Sequence, residues 1–582
     1  MTKYFEVLKR DGPARLGKLL LEKENYTPCL ISPKDYISIG SVFAYTSIDE
    51  AIKTAESLKG QRKLAVKPYV PQTINFRSSI ALPEIEINGP KGVVLNLSSE
   101  AEREKADVYI ISAASIRTSR DLVNAVINVR NKVPADAALY APVLATPANL
   151  AFLIYLGIDL IDTIRVEVDA YFGRYHTRDG VFDFNNFRDL VCSCEFCADL
   201  AEDRDSNRKT DLLIGHNILK LSEEISIARH LIRSETMREF VERQVRVTPG
   251  LTAALRILDY EYSYLEARTP QYRKSVFYAN TAESLKRVEV RRFADRVLNR
   301  YRPPRSDVLL LLPCSAKKPY STSRSHKLFA EAIQPWKRFL HELILTSPLA
   351  LVPRELETIY PASSYDVPVT GHWDLEERTW LLSCLDAYLE RNRYPKIVAH
   401  IEGELREIIE NHGIDADFTG GGTSSEAIIR LSKSISEVCR GATRLENLNL
   451  QRFRAVLDYY FGSHASDSLM AGDVKIRGKE VQDATGRTLA IMTPNGTIAL
   501  SLEGGRRLEK CGNYIVTIGD FVPKGSLLAP GVMKADGQIR PGDEIIIRGE
   551  TAFGVGRAKM SGWEMVGSNK GIAAEIRQIE AL

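Results

Sequence analysis

The chain has 582 residues, 44% of them hydrophobic, and 78 basic against 75 acidic side chains leave a net charge of +3. That length and apolar content fit roughly three or four domains with full cores, while so small a charge excludes inferring a polyanionic partner from pI alone. Met1 to Arg10 lacks a long apolar core or cleavage signal, and no run approaches the ~18 consecutive apolar residues of a membrane span, so a soluble, cytoplasmic protein is expected.

The first 275 residues alternate strand-like runs (Gly92 to Leu97, Asp107 to Ser112, Leu139 to Val143) with helical segments, the pattern of an α/β barrel. Thr146 to Asp162 reads as a helix, a glycine stop at Gly157 and a strand. Next comes Cys192-Ser-Cys194-Glu-Phe-Cys197, with His216 downstream. Three thiolates on a tight turn and one imidazole, with no spare carboxylate, suit a closed, tetrahedral, structural Zn2+. His176 and His230 compete for the fourth position; Cys29, Cys384, Cys439 and Cys511 are scattered and read as core thiols.

Glu289 to Arg305 is rich in arginine and ends in Arg-Pro-Pro-Arg, which predicts a rigid, extended linker. A new domain then opens on Val308 to Leu312, a short apolar run read as a buried strand. It delivers Cys314 to the end of the sheet where open α/β folds bind ligands. Lys317, Lys318, Arg324, His326 and Lys327 follow without an intervening acid, and such surroundings favour a thiolate. Helical stretches around Phe329 to Leu345 and Leu375 to Arg391, and a strand over Lys396 to Ile401, complete the pattern of a small doubly wound sheet. The glycine-rich turn Asp417 to Glu426, with Thr423-x-x-Glu426 as a capping box, opens one more helix; free N–H groups there could hold an anion, although a turn and cap explain it equally.

From Asn447 the composition changes again. Arg452 to Gly462 reads as a helix with a glycine stop, followed by short alternating strands; from Gly512 onward, glycines fall where strands turn, with Asp536 to Arg540 as an exposed loop.

The motif Pro313-Cys-Ser-x-x-Lys-Pro-Tyr-x-x-Ser-x-Ser-His326 resembles the signature of the archaeosine synthases, archaeal tRNA-modifying relatives of tRNA-guanine transglycosylase. Pro353 to Glu357, Tyr360 to Gly371 and Trp373-Asp374 are also similar to that family, and the likeness extends over essentially the whole chain. It implies a multidomain α/β protein: a transglycosylase-like (β/α)8 barrel with a zinc-binding subdomain over 1–275, a linker over 276–305, a doubly wound α/β catalytic domain over 306–440, a small α+β domain over 441–507 and a PUA β-barrel that grips structured RNA over 508–582.

The resemblance further implies a substrate, tRNA whose base at position 15 is already 7-cyano-7-deazaguanine, and a reaction, addition of an amine to the nitrile. The side-chain amine of free lysine is the expected donor, glutamine or ammonia the alternatives, with a radical SAM partner enzyme acting on the adduct. Cys314 would form a thioimidate, with His326 as proton shuttle and Lys318 and Tyr320 stabilising charge on nitrogen; Ser315, Ser323, Ser325 and Asp366 would bind substrate. Asp162 stands where transglycosylases carry their nucleophile, but Val93 to Glu100 replaces the segment that supplies their companion aspartate, so Asp162 is expected to be vestigial. A homodimer is implied by the same likeness. The competing readings are a tRNA-guanine(15) transglycosylase and a non-catalytic tRNA-binding subunit.

Overall fold

The computed structural model describes residues 4–32, 36–38, 63–67, 89–95, 105–112, 116–202, 207–304 and 306–582, and Asn96 to Glu100 of the departing segment lie outside them. The chain forms two compact units: Met1–Pro270 with Leu528–Pro530 and Trp563–Ala573, and the remainder.

The first unit begins with an antiparallel sheet of Phe5–Asp11, Ala14–Leu20 and Glu24–Thr27. A seven-stranded sheet follows, in the order Cys29–Leu30, Leu160–Ile161, Ala138–Tyr140, Val108–Ile111, Lys91–Leu95, Leu64–Lys67 and Tyr36–Ser38. All its pairings are parallel. Val108–Ile111 and Ala138–Tyr140 are buried at every residue, as parallel strands covered on both faces require. Helix Ser119–Lys132 starts at a capping box of Thr118 and Asp121 and turns Val123, Val126 and Ile127 inward. Helix Leu150–Leu156 stops at Gly157, whose φ of 115° is open to glycine, and leads into Leu160–Ile161 as predicted.

Asp159, at the start of that last strand, ties the sheet to its surroundings. Its carboxylate accepts from Arg15 Nε and Nη2 at 3.1 and 2.5 Å, from Arg130, and from the Leu139 N–H at 2.8 Å. The same arginines donate to the carbonyls of Ala135, Ala137 and Gly157.

In the second unit most of the stretch expected as an extended linker is instead a helix, Val288–Asn299, with Val290, Phe293, Ala294 and Val297 buried, and Tyr301 to Pro304 after it lie outside helix and strand. Its arginines mask an apolar face at helical spacing. Five strands form the central sheet, ordered Ala350–Pro353, Leu340–Thr346, Val308–Pro313, Lys396–Ala399 and Asp417–Phe418, with only the first antiparallel to its neighbour. Leu340–Thr346, expected to continue a helix from Phe329, is a strand buried at every residue, and the helix before it spans only Arg324–Ala332. Helix Leu375–Arg391 matches its predicted span. The final helix, Ser425–Val438, is capped by Ser424, whose Oγ accepts from the Ala427 N–H at 3.2 Å; Thr423 is not the cap.

Helix Leu448–Phe461 ends at Gly462, with a φ of 111°. A four-stranded antiparallel sheet follows, Val474–Arg477, Glu480–Asp483, Thr488–Met492 and Ile498–Leu500. The chain closes in a six-stranded mixed sheet. In its Asp536 to Arg540 loop Gly537 and Gln538 are exposed, whereas Arg540 is buried.

Asp159→Ala strands two buried guanidinium groups together. It should lower the stability of the N-terminal unit by about 3–5 kcal/mol, read by urea unfolding of the full chain.

Candidate functional site

Val308–Pro313 is the central strand of its sheet, and the chain leaves it first toward Leu340–Thr346 on one side and later returns to Lys396–Ala399 on the other. That reversal opens a crevice at the carboxyl end of the strand, and Cys314 is the next residue. Pro313 is level with Leu345, so Cys314 follows on beside Thr346.

Of the five basic residues predicted around the thiol, Lys318 alone acts on it. Lys317, Arg324 and Lys327 are exposed. Burial pushes the Cys314 thiol up, against the sequence expectation of a ready thiolate, while the Thr346 hydroxyl and the Lys318 cation pull it back. Burial lowers Lys318 in turn, offset by Cys314 and Asp366. The Lys318 ammonium sits 4.1 Å from the centroid of the Tyr365 ring. Tyr365 hydroxyl lies 2.5 Å from that of Tyr320 and 2.6 Å from Thr346 Oγ1, and burial raises both tyrosines, so they remain donors at neutral pH.

His326 is buried and engaged at both nitrogens: Arg354 Nη2 donates to Nδ1 at 2.9 Å, so Nε2 carries the hydrogen and donates to the Pro313 carbonyl at 3.0 Å. Burial and the Arg354 cation push the imidazole down to about 3. A ring so fixed and so reluctant to charge is a poor proton shuttle; it pins the residue before Cys314. Arg354 is itself held by Glu342 and Glu357, and Glu357 accepts from the Ser321 N–H at 2.9 Å. Ser323 is the N-cap of helix Arg324–Ala332 and accepts from the His326 N–H, with Ser325 Oγ 3.3 Å from its own. Ser315 Oγ donates to the Lys317 carbonyl at 3.0 Å, and Asp366 is exposed with Oδ1 accepting from the Val367 N–H.

Sequence reasoning gave no role to Thr346, Tyr365, Arg354, Glu342 or Glu357. Arg354, Glu357 and Tyr365 lay inside stretches it quoted; Thr346 and Glu342 were hidden by reading their strand as helix.

Two further groups lie in the first unit. Cys192, Cys194, Cys197 and His216 place their ligand atoms within 4.8 Å of one another, a cluster able to hold a metal ion. His216 Nδ1 is 3.6 and 3.2 Å from the sulfurs of Cys194 and Cys197, close to the ~3.6 Å edge of a tetrahedron with ordinary metal–sulfur and metal–nitrogen bonds. Its Nε2 donates to the His176 carbonyl at 2.9 Å, so the Nδ1 lone pair faces the thiols, and Tyr175 stacks on the ring at 3.9 Å. His176 turns instead to Asp169 at 3.0 Å and His230 is exposed, so neither joins the cluster.

Asp162 is buried and fully occupied. Its carboxylate accepts from the Tyr140 hydroxyl at 2.7 Å and from the N–H groups of Val143 and Ile164 at 3.0 Å each. It holds a loop in which Val143 has a φ of 63°, uncommon for a β-branched residue.

Comparison with known proteins places matches along the chain: the queuine tRNA-ribosyltransferase family over residues 94–249, a domain of unknown function (DUF5591) over 290–435, the patch-forming domain C2 of tRNA-guanine transglycosylase over 451–514 and a PUA domain over 518–579. The chain is 40% identical to the archaeosine synthase subunit alpha of Methanosarcina acetivorans and 36% identical to the archaeosine synthase of Haloferax volcanii, in both cases over 100% of each chain. It is 27% identical to the tRNA-guanine(15) transglycosylase of Methanobrevibacter smithii, over 83% of this chain and 73% of that one.

With its imidazole neutral down to about 3, His326 should contribute no inflection to the activity profile across about pH 5 to 8, the range in which an ordinary histidine titrates. Arg354→Leu removes a nearby cation and should raise the His326 pKa, measured by following its ring resonances by NMR.

Proposed function

The chain belongs to the archaeosine synthase family, and from that premise we propose that it adds an amine, the side-chain amine of free lysine, to the nitrile of 7-cyano-7-deazaguanine at position 15 of tRNA. It is a tRNA-modifying enzyme with a PUA domain. The observation that carries the finer reading is Cys314 at the switch point of the central sheet, facing Thr346 and Lys318.

In this reading the Cys314 thiolate adds to the nitrile carbon while the nitrile nitrogen takes a proton, giving a thioimidate. The lowered Lys318 ammonium, backed by the hydroxyls of Tyr320, Tyr365 and Thr346, is the nearest acid. The neutral amine of lysine then attacks the same carbon; collapse expels the thiolate, breaks the C–S bond and leaves an N-substituted amidine. A raised thiol pKa at rest is compatible with this order, since the thiolate is needed only when the electrophile is bound and a more basic sulfur is the stronger nucleophile. His326, Ser323 and Arg354 hold the loop; Ser315, Ser325 and Asp366 line its outer side for substrate. That adduct is the substrate for a separate radical SAM partner, a division of labour in keeping with relatives named as a subunit alpha.

The N-terminal unit we read as the transglycosylase-like barrel over 1–275, refitted to present tRNA as a homodimer in the cytoplasm. A flat row of seven strands ~4.8 Å apart would be ~29 Å wide, yet the chain between Leu30 and Tyr36, at opposite ends of the row, reaches at most ~22 Å. The row therefore curls toward closure. We assign Zn2+ to the Cys192, Cys194, Cys197 and His216 cluster, a donor set of three sulfurs and one nitrogen that leaves no open position and confers stability alone. The hydrogen bonds on Asp162 weigh against base exchange, because three donors on one carboxylate stabilise it and weaken it as a nucleophile.

Incubating the protein with tRNA carrying 7-cyano-7-deazaguanine and isotopically labelled lysine, glutamine or ammonium, then weighing the nucleosides, separates the readings. A nucleoside heavier by one intact lysine is expected; incorporation of free labelled base would restore transglycosylation, and no product with any donor would leave a binding subunit. Cys314→Ala should abolish the adduct and Asp162→Ala should spare it; normal turnover in Cys314→Ala would refute the covalent route. Metal analysis should find about one zinc per chain, and Cys194→Ser should lose it and destabilise the N-terminal unit.

A further inference from the structure

Four guanidinium groups gather in the N-terminal unit around two carboxylates. Arg15 and Arg130 share Asp159, and Arg10 pairs with Glu564 at 2.7 Å. Arg268 feels Glu564 only through its Coulomb field, with no ion pair among the described residues: it stacks 4.0 Å over the Tyr264 ring and 4.7 Å over Trp563, and donates to the Tyr264 and Arg130 carbonyls and to Asn131 Oδ1. All six charged side chains are buried, so four cations face two anions and an excess of two positive charges is held out of water. Such an excess is costly without a counter-charge.

The four arginines and Glu564 line one cavity of about 10 Å³. Arg10 Nη1 and Arg268 Nε donate to no acceptor among the described residues. Burial lowers Arg10, Arg130 and Arg268, and repulsion from neighbouring arginines adds to it, only partly offset by Glu564 and Asp159.

We propose that this cavity is a binding site for one small monovalent anion of chloride size, held by Arg10 Nη1 and Arg268 Nε. The volume admits about one water-sized occupant, which favours a small ion over phosphate or sulfate. The anion neutralises half of the excess and so joins the strand Phe5–Asp11 to Trp563 and Glu564. Its action is on stability, independent of the reaction at Cys314.

The test is thermal unfolding of the full chain at constant ionic strength as potassium chloride replaces potassium gluconate, with anomalous diffraction from crystals grown in bromide. The midpoint should rise with chloride by about 2–4 °C, a bromide peak should appear in the cavity, and Arg268→Gln and Arg10→Gln should each lose the chloride dependence. Equal midpoints in the two salts would overturn the proposal. So would an empty cavity in the bromide map of the wild-type protein, which requires no variant to fold.

Discussion

The candidate centre depends on one guanidinium group. Arg354 is gripped by Glu342 and Glu357 and spends its remaining nitrogen on His326, which spends its own hydrogen on the Pro313 carbonyl. Remove the cation and three things loosen together: the imidazole loses its fixed tautomer, Glu357 its partner beside Ser321, and the strand end its anchor. Interactions with charged partners are the stronger hydrogen bonds, and here they position backbone. The histidine of the motif serves the cysteine through geometry, and Lys318 and the three hydroxyls are what face the sulfur.

A second economy concerns the first unit. There Asp162 accepts from Tyr140, Val143 and Ile164, bonds that maintain the shape of its loop. The same unit holds a group of three cysteines and a histidine able to take a metal ion, whose histidine tautomer is fixed by the His176 carbonyl and whose neighbour Asn217 bonds His176, Val166 and Arg174.

How far the sequence foretold this follows from where the signal was local. Val308–Pro313, the Gly157 stop, helix Leu375–Arg391 and the cysteine cluster were legible because each rests on short-range pattern: an apolar run, a special φ, a heptad-like face, a ligand spacing. Leu340–Thr346 failed because a short apolar run cannot be told from a buried helix by period alone; its neighbours in the sheet decide. Val288–Asn299 failed because Arg292 and Arg296 are buried, so charge disguised its inner face. The electrostatics of Cys314 failed for a third reason: adjacency in the chain is not adjacency in space, and burial outweighed the one cation that does face the sulfur.

The pairing of Pro313 with Leu345 ties the Cys314 sulfur to the counting of residues in the neighbouring strand. Successive side chains of a strand point to opposite faces, so one residue inserted between Leu340 and Thr346 would swing the threonine hydroxyl away from Cys314 and bring the wrong face to the thiol. The turn beyond Thr346, where Ser347 and Leu349 reverse the chain into Ala350–Pro353, lies past that checkpoint. A change of length beyond this one threonine would leave the register at Cys314 intact, whereas one before it would not.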